Sequence, residues 1–99
     1  MAALVVAYPA RAGARFDADY YVATHIPLVR DEWTRHGLVA ARALIPEGPD
    51  PAWLAVAILD FADAAARERC LSSPEAAAVF GDVANFTDIT PVALPSSAP

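Results

Sequence analysis

Tyr21 and His25 stand four residues apart, and Pro27 follows two residues later. On a helix that spacing puts a phenol and an imidazole on one face, one turn apart, so both can reach one pocket. An imidazole has the unperturbed pKa to move a proton near neutral pH, and an apolar surrounding tunes it further. A phenol one turn away can orient a substrate carbonyl or hydroxyl by hydrogen bonding. The residues alone leave a second reading open, in which His25 bonds a free backbone carbonyl and Tyr21 fills core. Tyr8 could line the mouth of such a pocket or serve as an edge-of-core aromatic. Trp33, two turns beyond His25 on the same broad face, is read first as helix packed on sheet. Asp88 could pair with His25 or stand as an exposed strand carboxylate. His36, before Gly37 at a helix C-terminus, reads as structural.

The elements that must hold these groups follow from patterning. Leu4 to Tyr8 is a β-favouring apolar run that stops at Pro9. Asp17 is placed to cap a helix, with Asp19 in its first turn and Phe16 positioned for a hydrophobic staple. Helical periodicity then runs to His36, with a kink or break expected near Thr24 to Ile26 because of Pro27, and Gly37 as the residue that ends the second piece. Leu38 to Ile45 and Trp53 to Asp60 read as strands joined by the turn-rich Pro46 to Pro51. Ala62 to Cys70 reads as a helix, and Ser73-Pro74-Glu75 as the start of a short helix towards Phe80. Asp82 to Asn85 reads as a turn and Phe86 to Leu94 as a last strand interrupted by Pro91, with a disordered tail at 95–99. The order β-α-β-β-α-β predicts an α+β, ferredoxin-like domain over residues 1–94, with a four-stranded antiparallel sheet.

A one-sided sheet should alternate apolar and polar residues, yet Leu4-Val5-Val6-Ala7 and Leu54 to Leu59 are apolar on both faces. A homodimer packing two such faces together is the expected remedy for a chain of 99 residues. Trp53 is a candidate for that interface.

The chain is 57% hydrophobic and 19% charged, which favours one packed domain over disorder. All seven positive charges are arginine, and the net charge of -5 disfavours nucleic acid and anionic lipid as partners. No apolar run approaches the ~20 residues of a membrane-spanning helix, and the start lacks a basic signal region, so a cytoplasmic protein is expected. Cys70 is alone and reads as a bland thiol. Two histidines eleven residues apart make no recognised metal spacing, and the glycine-rich phosphate loops are missing, so neither metal nor nucleotide cofactor is expected.

Tyr8-Pro9, the block Phe16-Asp17-Ala-Asp-Tyr20-Tyr21-Val-Ala-Thr-His25-Ile-Pro27-Leu-Val29, and Asn85-Phe86-Thr87-Asp88-Ile89-Thr90-Pro91 together resemble the signature of the EthD family, part of the dimeric α/β-barrel superfamily. The resemblance implies a dimeric α/β barrel with a pocket between sheet and helices. It also implies cofactor-independent chemistry on aromatic or polyketide-like compounds, whether oxygenation, isomerisation or elimination. A histidine at the helix position of His25 often serves as general acid or base in such enzymes. It further places Asn85 and Phe86 near the pocket rim.

The expectation is therefore an enzyme with His25 as acid/base, Tyr21 orienting the substrate, and Tyr8, Trp33, Asn85 and Phe86 as walls. The alternative is a non-catalytic dimer that binds a hydrophobic metabolite in the same pocket. A purely structural dimer with a dry interior is a third reading, and it accounts poorly for a histidine and tyrosine sharing one face.

Overall fold

The computed structural model describes Met1–Pro99. Four strands, β1 (Ala2–Pro9), β2 (Leu38–Leu44), β3 (Trp53–Phe61) and β4 (Val92–Ser97), form one antiparallel sheet in the order β2-β3-β1-β4. This is the expected α+β, ferredoxin-like arrangement. The period of two settles which side chains meet the helices. Leu4, Val6 and Tyr8 of β1 lie opposite Leu59, Ala57 and Ala55 of β3, and all six are buried. The intervening residues Val5, Val56 and Ile58 point to the other face, where Leu44 pairs with Val56 and Leu94 with Val5. No helix covers that face, and Leu94 is 51% exposed on it. No helix is long and apolar enough to cross a membrane.

The first helical run covers residues 18–36. The Asp17 carboxylate accepts the Tyr20 N–H at 3.0 Å and caps α1 (Ala18–Tyr20). Phe16, just outside the cap, packs on Tyr21 with ring centroids 5.4 Å apart, which completes the staple. The expected break before Pro27 does not occur. Instead the chain makes a π turn over Tyr21–His25, closed by the Ile26 N–H bonding the Tyr21 carbonyl, and continues as α2 (Ile26–Trp33). The wide turn sets Pro27 in the opening turn of α2, where a missing N–H costs little. The Ile26 N–H is thus paired where a gap was expected, while Pro27 itself brings no N–H.

A 3₁₀ turn, Thr34–His36, ends the run at Gly37, whose φ is 111°. A Cβ there would also sit 2.5 Å from Cβ of Ala66, on α3 (Ala64–Ser72). Glycine is needed twice over, for backbone conformation and for the close approach of α3. Asp63 caps α3 by accepting the Ala66 N–H at 2.7 Å. Ser73, expected to cap the next helix, instead donates back to the Cys70 carbonyl at 2.7 Å, and α4 (Ala76–Gly81) starts without a side-chain cap.

The last strand is later than the sequence pattern suggests. Residues 86–90 are tied to the loop before α1: the Asp17 N–H bonds the Phe86 carbonyl at 2.8 Å, and the Thr87 hydroxyl bonds the Arg15 carbonyl at 2.6 Å. These ties hold the segment off the sheet, so pairing begins at Val92 and continues to Ser97, three residues into the expected disordered tail. Pro95 is tolerated because β4 is an edge strand.

Replacing Gly37 by alanine should lower unfolding free energy by roughly 2–4 kcal/mol, adding a steric clash to left-handed strain. Gly48→Ala shares the positive φ, 92°, but meets nothing within 4 Å, and should cost about 1 kcal/mol. Urea unfolding of both variants checks this; equal losses would mean that the approach of α3 to Gly37 carries no penalty.

Candidate active site

The staple and the π turn gather an aromatic cluster under one end of the sheet. Tyr8 packs edge-on to Tyr21 at 5.5 Å, Tyr21 stacks on the His25 ring at 5.8 Å, and Phe86 packs against both, 5.2 Å from Tyr21 and 4.7 Å from His25. Tyr21 is wholly buried and His25 is 5% exposed.

His25 is held from outside the helix. Its Nδ1 lies 2.9 Å from Oδ2 of Asp82, the first residue of the 3₁₀ turn Asp82–Asn85. The other carboxylate oxygen, Oδ1, accepts the Tyr20 hydroxyl at 2.7 Å and the Asn85 side-chain N–H at 2.9 Å. Burial alone would disfavour the charge on Asp82, but the hydrogen bonds from Tyr20, Asn85 and His25 outweigh it and hold the pKa below the ordinary carboxylate value. An ionised carboxylate only accepts, so the proton of neutral His25 belongs on Nδ1 and the lone pair on Nε2. No group of the chain bonds Nε2. Burial pulls the His25 pKa down, more than Asp82 pushes it up, which favours the neutral ring.

A narrow cavity of about 30 Å³ opens beside this cluster, lined among others by Tyr8, Tyr21, His25, Trp33, Phe80 and Val83. That is room for about one water molecule. Burial pushes the Tyr8 and Tyr21 hydroxyls well above the ordinary phenol range, so both stay protonated donors. The Tyr21 hydroxyl has no partner in the chain. The arrangement offers a ligand one basic nitrogen and neutral O–H donors within an otherwise apolar lining, a layout suited to taking a proton while bonding an oxygen.

The expected site residues divide. Tyr8, Tyr21, His25 and Trp33 do line the cavity. Asn85 and Phe86 do not: Asn85 bonds Asp82, and Phe86, fully buried, backs the His25 ring, so both support the site from behind its wall. Asp88 is not the partner of His25; it is exposed, pairs with Arg11 at 3.1 Å and accepts the Arg15 N–H. Asp82 is the residue sequence reasoning missed, because an aspartate after Gly81 reads equally well as a turn former. His36 meets Glu75 at 3.3 Å, a contact between helix ends. Cys70 is fully buried, its Sγ 3.7 Å from the Trp33 carbonyl, and burial pushes its thiol up, away from reactivity. Trp53 is 42% exposed at the start of β3. No cluster of three or more His, Cys, Asp or Glu side chains suited to a metal ion is present.

Comparison with solved structures agrees with the fold. An EthD-like protein from Ralstonia eutropha JMP134 superposes with a TM-score of 0.82 at 29% identity, covering 97% of this chain and 89% of its own. An ethyl tert-butyl ether degradation (EthD) family protein from Bacillus halodurans C-125 gives 0.71 at 18% identity, over 98% and 99% of the two chains. SnoaB, a cofactor-independent oxygenase from Streptomyces nogalater, gives 0.72 at 15% identity, over 99% and 92%. No functionally curated protein matches the chain. The model of the EthD domain matches residues 13–90, which takes in the π turn, Asp82 and the clasp at Thr87, and the chain therefore belongs to the EthD family.

Proposed function

We propose that this protein is a small-molecule enzyme in which Nε2 of His25 acts as general base on an aromatic or polyketide-like phenol or enolisable ketone. The observation that carries the reading is a buried imidazole anchored at Nδ1 by Asp82, with Nε2 unpartnered beside an apolar cavity. A base needs its lone pair aimed at the substrate and its other nitrogen fixed, and the Asp82 bond supplies the second condition. As the proton leaves, charge grows on the substrate oxygen, where the neutral Tyr21 hydroxyl can donate to it. The resulting enolate or phenolate can be oxygenated by dissolved dioxygen, to which it supplies the electrons, be reprotonated elsewhere or lose a leaving group; this chemistry requires no cofactor. That a structural neighbour, SnoaB, is a cofactor-independent oxygenase supports this class of reaction.

A bicyclic ligand exceeds the closed cavity, so entry requires movement at its rim. Phe80, 42% exposed, together with Val83 and Pro91, borders both the cavity and a surface groove running over Ala84 to Thr90. Displacing Phe80 would join the two.

We further propose that the protein is a homodimer built on the uncovered face of the sheet, where Val5, Val56, Ile58 and Leu94 form an apolar surface. Ile58→Asp would put a charge at its centre, and sedimentation should then report a folded monomer in place of a dimer. An unaltered oligomeric state would remove this face as the interface.

The base can be tested before the cognate substrate is known, by following hydrogen–deuterium exchange at the α-carbon of bicyclic ketones such as 1-tetralone in D₂O. Wild-type protein should accelerate exchange over buffer, and His25→Ala should lose about 10²-fold or more of that acceleration while keeping its fold by circular dichroism. Ligand-induced thermal stabilisation that persists in His25→Ala, without exchange in either protein, would favour the metabolite-binding alternative.

Stability should also carry the signature of the buried pair. Both His25 and Asp82 have folded-state pKa values below their ordinary ones, so as pH falls the unfolded chain takes up each proton first. Stability therefore decreases as pH drops below about 6.5 through His25, and again near and below about 4 through Asp82. Urea midpoints between pH 8 and 5 should show the first decrease in wild type and its loss in His25→Gln; an identical decrease in the variant would place its origin elsewhere.

A further inference from the structure

Trp33 presents a buried donor that the proposed chemistry does not use. Its side chain is fully buried, its indole Nε1–H has no partner in the chain, and the residue lines the same cavity as Tyr21 and His25. A buried donor left unpaired costs free energy, and such groups in folded proteins call for an explanation. The aromatic neighbours, Phe61 at 6.4 Å and Phe80 at 5.9 Å, offer only ring faces, which are weaker acceptors than oxygen. A purely structural tryptophan would more commonly find a carbonyl for its N–H, and a phenylalanine would fill the space without the penalty.

The position of this donor specifies a ligand. Trp33 follows His25 by eight residues, which places the two on the order of 12 Å apart along the helix. The side chains between them on that face, Ile26 and Val29, are apolar cavity lining. The residues that line the cavity thus run from His25 and Tyr21 through apolar side chains to Trp33.

We infer that the Trp33 indole N–H forms a second polar subsite, and that the preferred ligand is an elongated, apolar compound bearing a hydrogen-bond acceptor such as a carbonyl oxygen at the end remote from the group His25 engages. This rests on the cavity being the ligand site, as proposed above, and adds which end groups a ligand must carry. Phe80, packed on Trp33, would lie over the remote end and move aside as the acceptor enters.

Two probes separate the subsite from the cavity itself. 2-Naphthol carries only the hydroxyl for the His25 end; 6-acetyl-2-naphthol adds a carbonyl at the opposite end. Wild-type protein should bind the acetyl compound about tenfold more tightly than its parent, and in Trp33→Phe that ratio should fall to near one, whatever happens to the affinity for the parent. A second readout needs no variant. The chain has two tryptophans, so its spectrum holds two indole N–H resonances; the one from Trp33 should move downfield with 6-acetyl-2-naphthol and much less with 2-naphthol. If 2-naphthol binds but the acetyl group brings neither tighter binding nor the shift, the subsite is wrong and the cavity stands. A tenfold preference that survives Trp33→Phe overturns the subsite as well. Binding of neither compound overturns both readings.

Discussion

The contact between Asp82 and His25 is the constraint from which the site takes its form. A carboxylate in a mostly apolar setting must be compensated, and Asp82 is compensated by three donors from two different parts of the chain: Tyr20 and His25 from the first helical run, Asn85 from its own turn. Each donor becomes oriented in the process. The imidazole loses its freedom to rotate, Tyr20 is drawn over Phe86, and the turn after α4 is pinned to the helix it faces. Arg15 and Thr87 reinforce that pinning from the surface, with the guanidinium of Arg15 bonding the Ala84 carbonyl at 2.9 Å.

The aromatic cluster then divides the labour between support and function. Phe16 and Phe86 bring area and rigidity, while Tyr8, Tyr21 and His25 combine apolar bodies with polar tips at the cavity. Such a cluster keeps the cavity walls from collapsing onto one another, and its edge-on contacts recur from Tyr8 through Phe86. The lower, more exposed rim at α4 lacks comparable support: the helix is short and without a side-chain cap. Firm walls and a weakly held rim are what a closed cavity needs if it is to admit anything.

Much of this was legible in the chain because it depends on neighbours in sequence. The cap at Asp17, the staple at Phe16, the pairing of Tyr21 with His25 on one face and the stop at Gly37 are local devices, and the strand order follows from their succession. What could not be read arose from contacts across the fold. The tie from Thr87 to Arg15 delays β4 and carries it to Ser97, and no local propensity signals it. Asp82 looks like any turn aspartate until the fold brings it beside His25. Pro27 misled for a different reason: proline forbids one hydrogen bond, but whether the chain breaks or widens depends on what the flanking side chains gain by staying helical. Tyr21, Ile26 and Val29 all gain burial.

The π turn has an evolutionary consequence. It is in effect one residue inserted into an α-helix. Rewinding the run as regular α-helix without deleting a residue would rotate every later side chain by about 100° relative to those before it. Val29 and Trp33 would swing off the sheet while Tyr21 stayed in place. The wide turn therefore cannot be lost by substitution alone: descendants of this chain can vary the residues within it, yet regular winding returns without disturbing the packing on either side only if one residue is deleted.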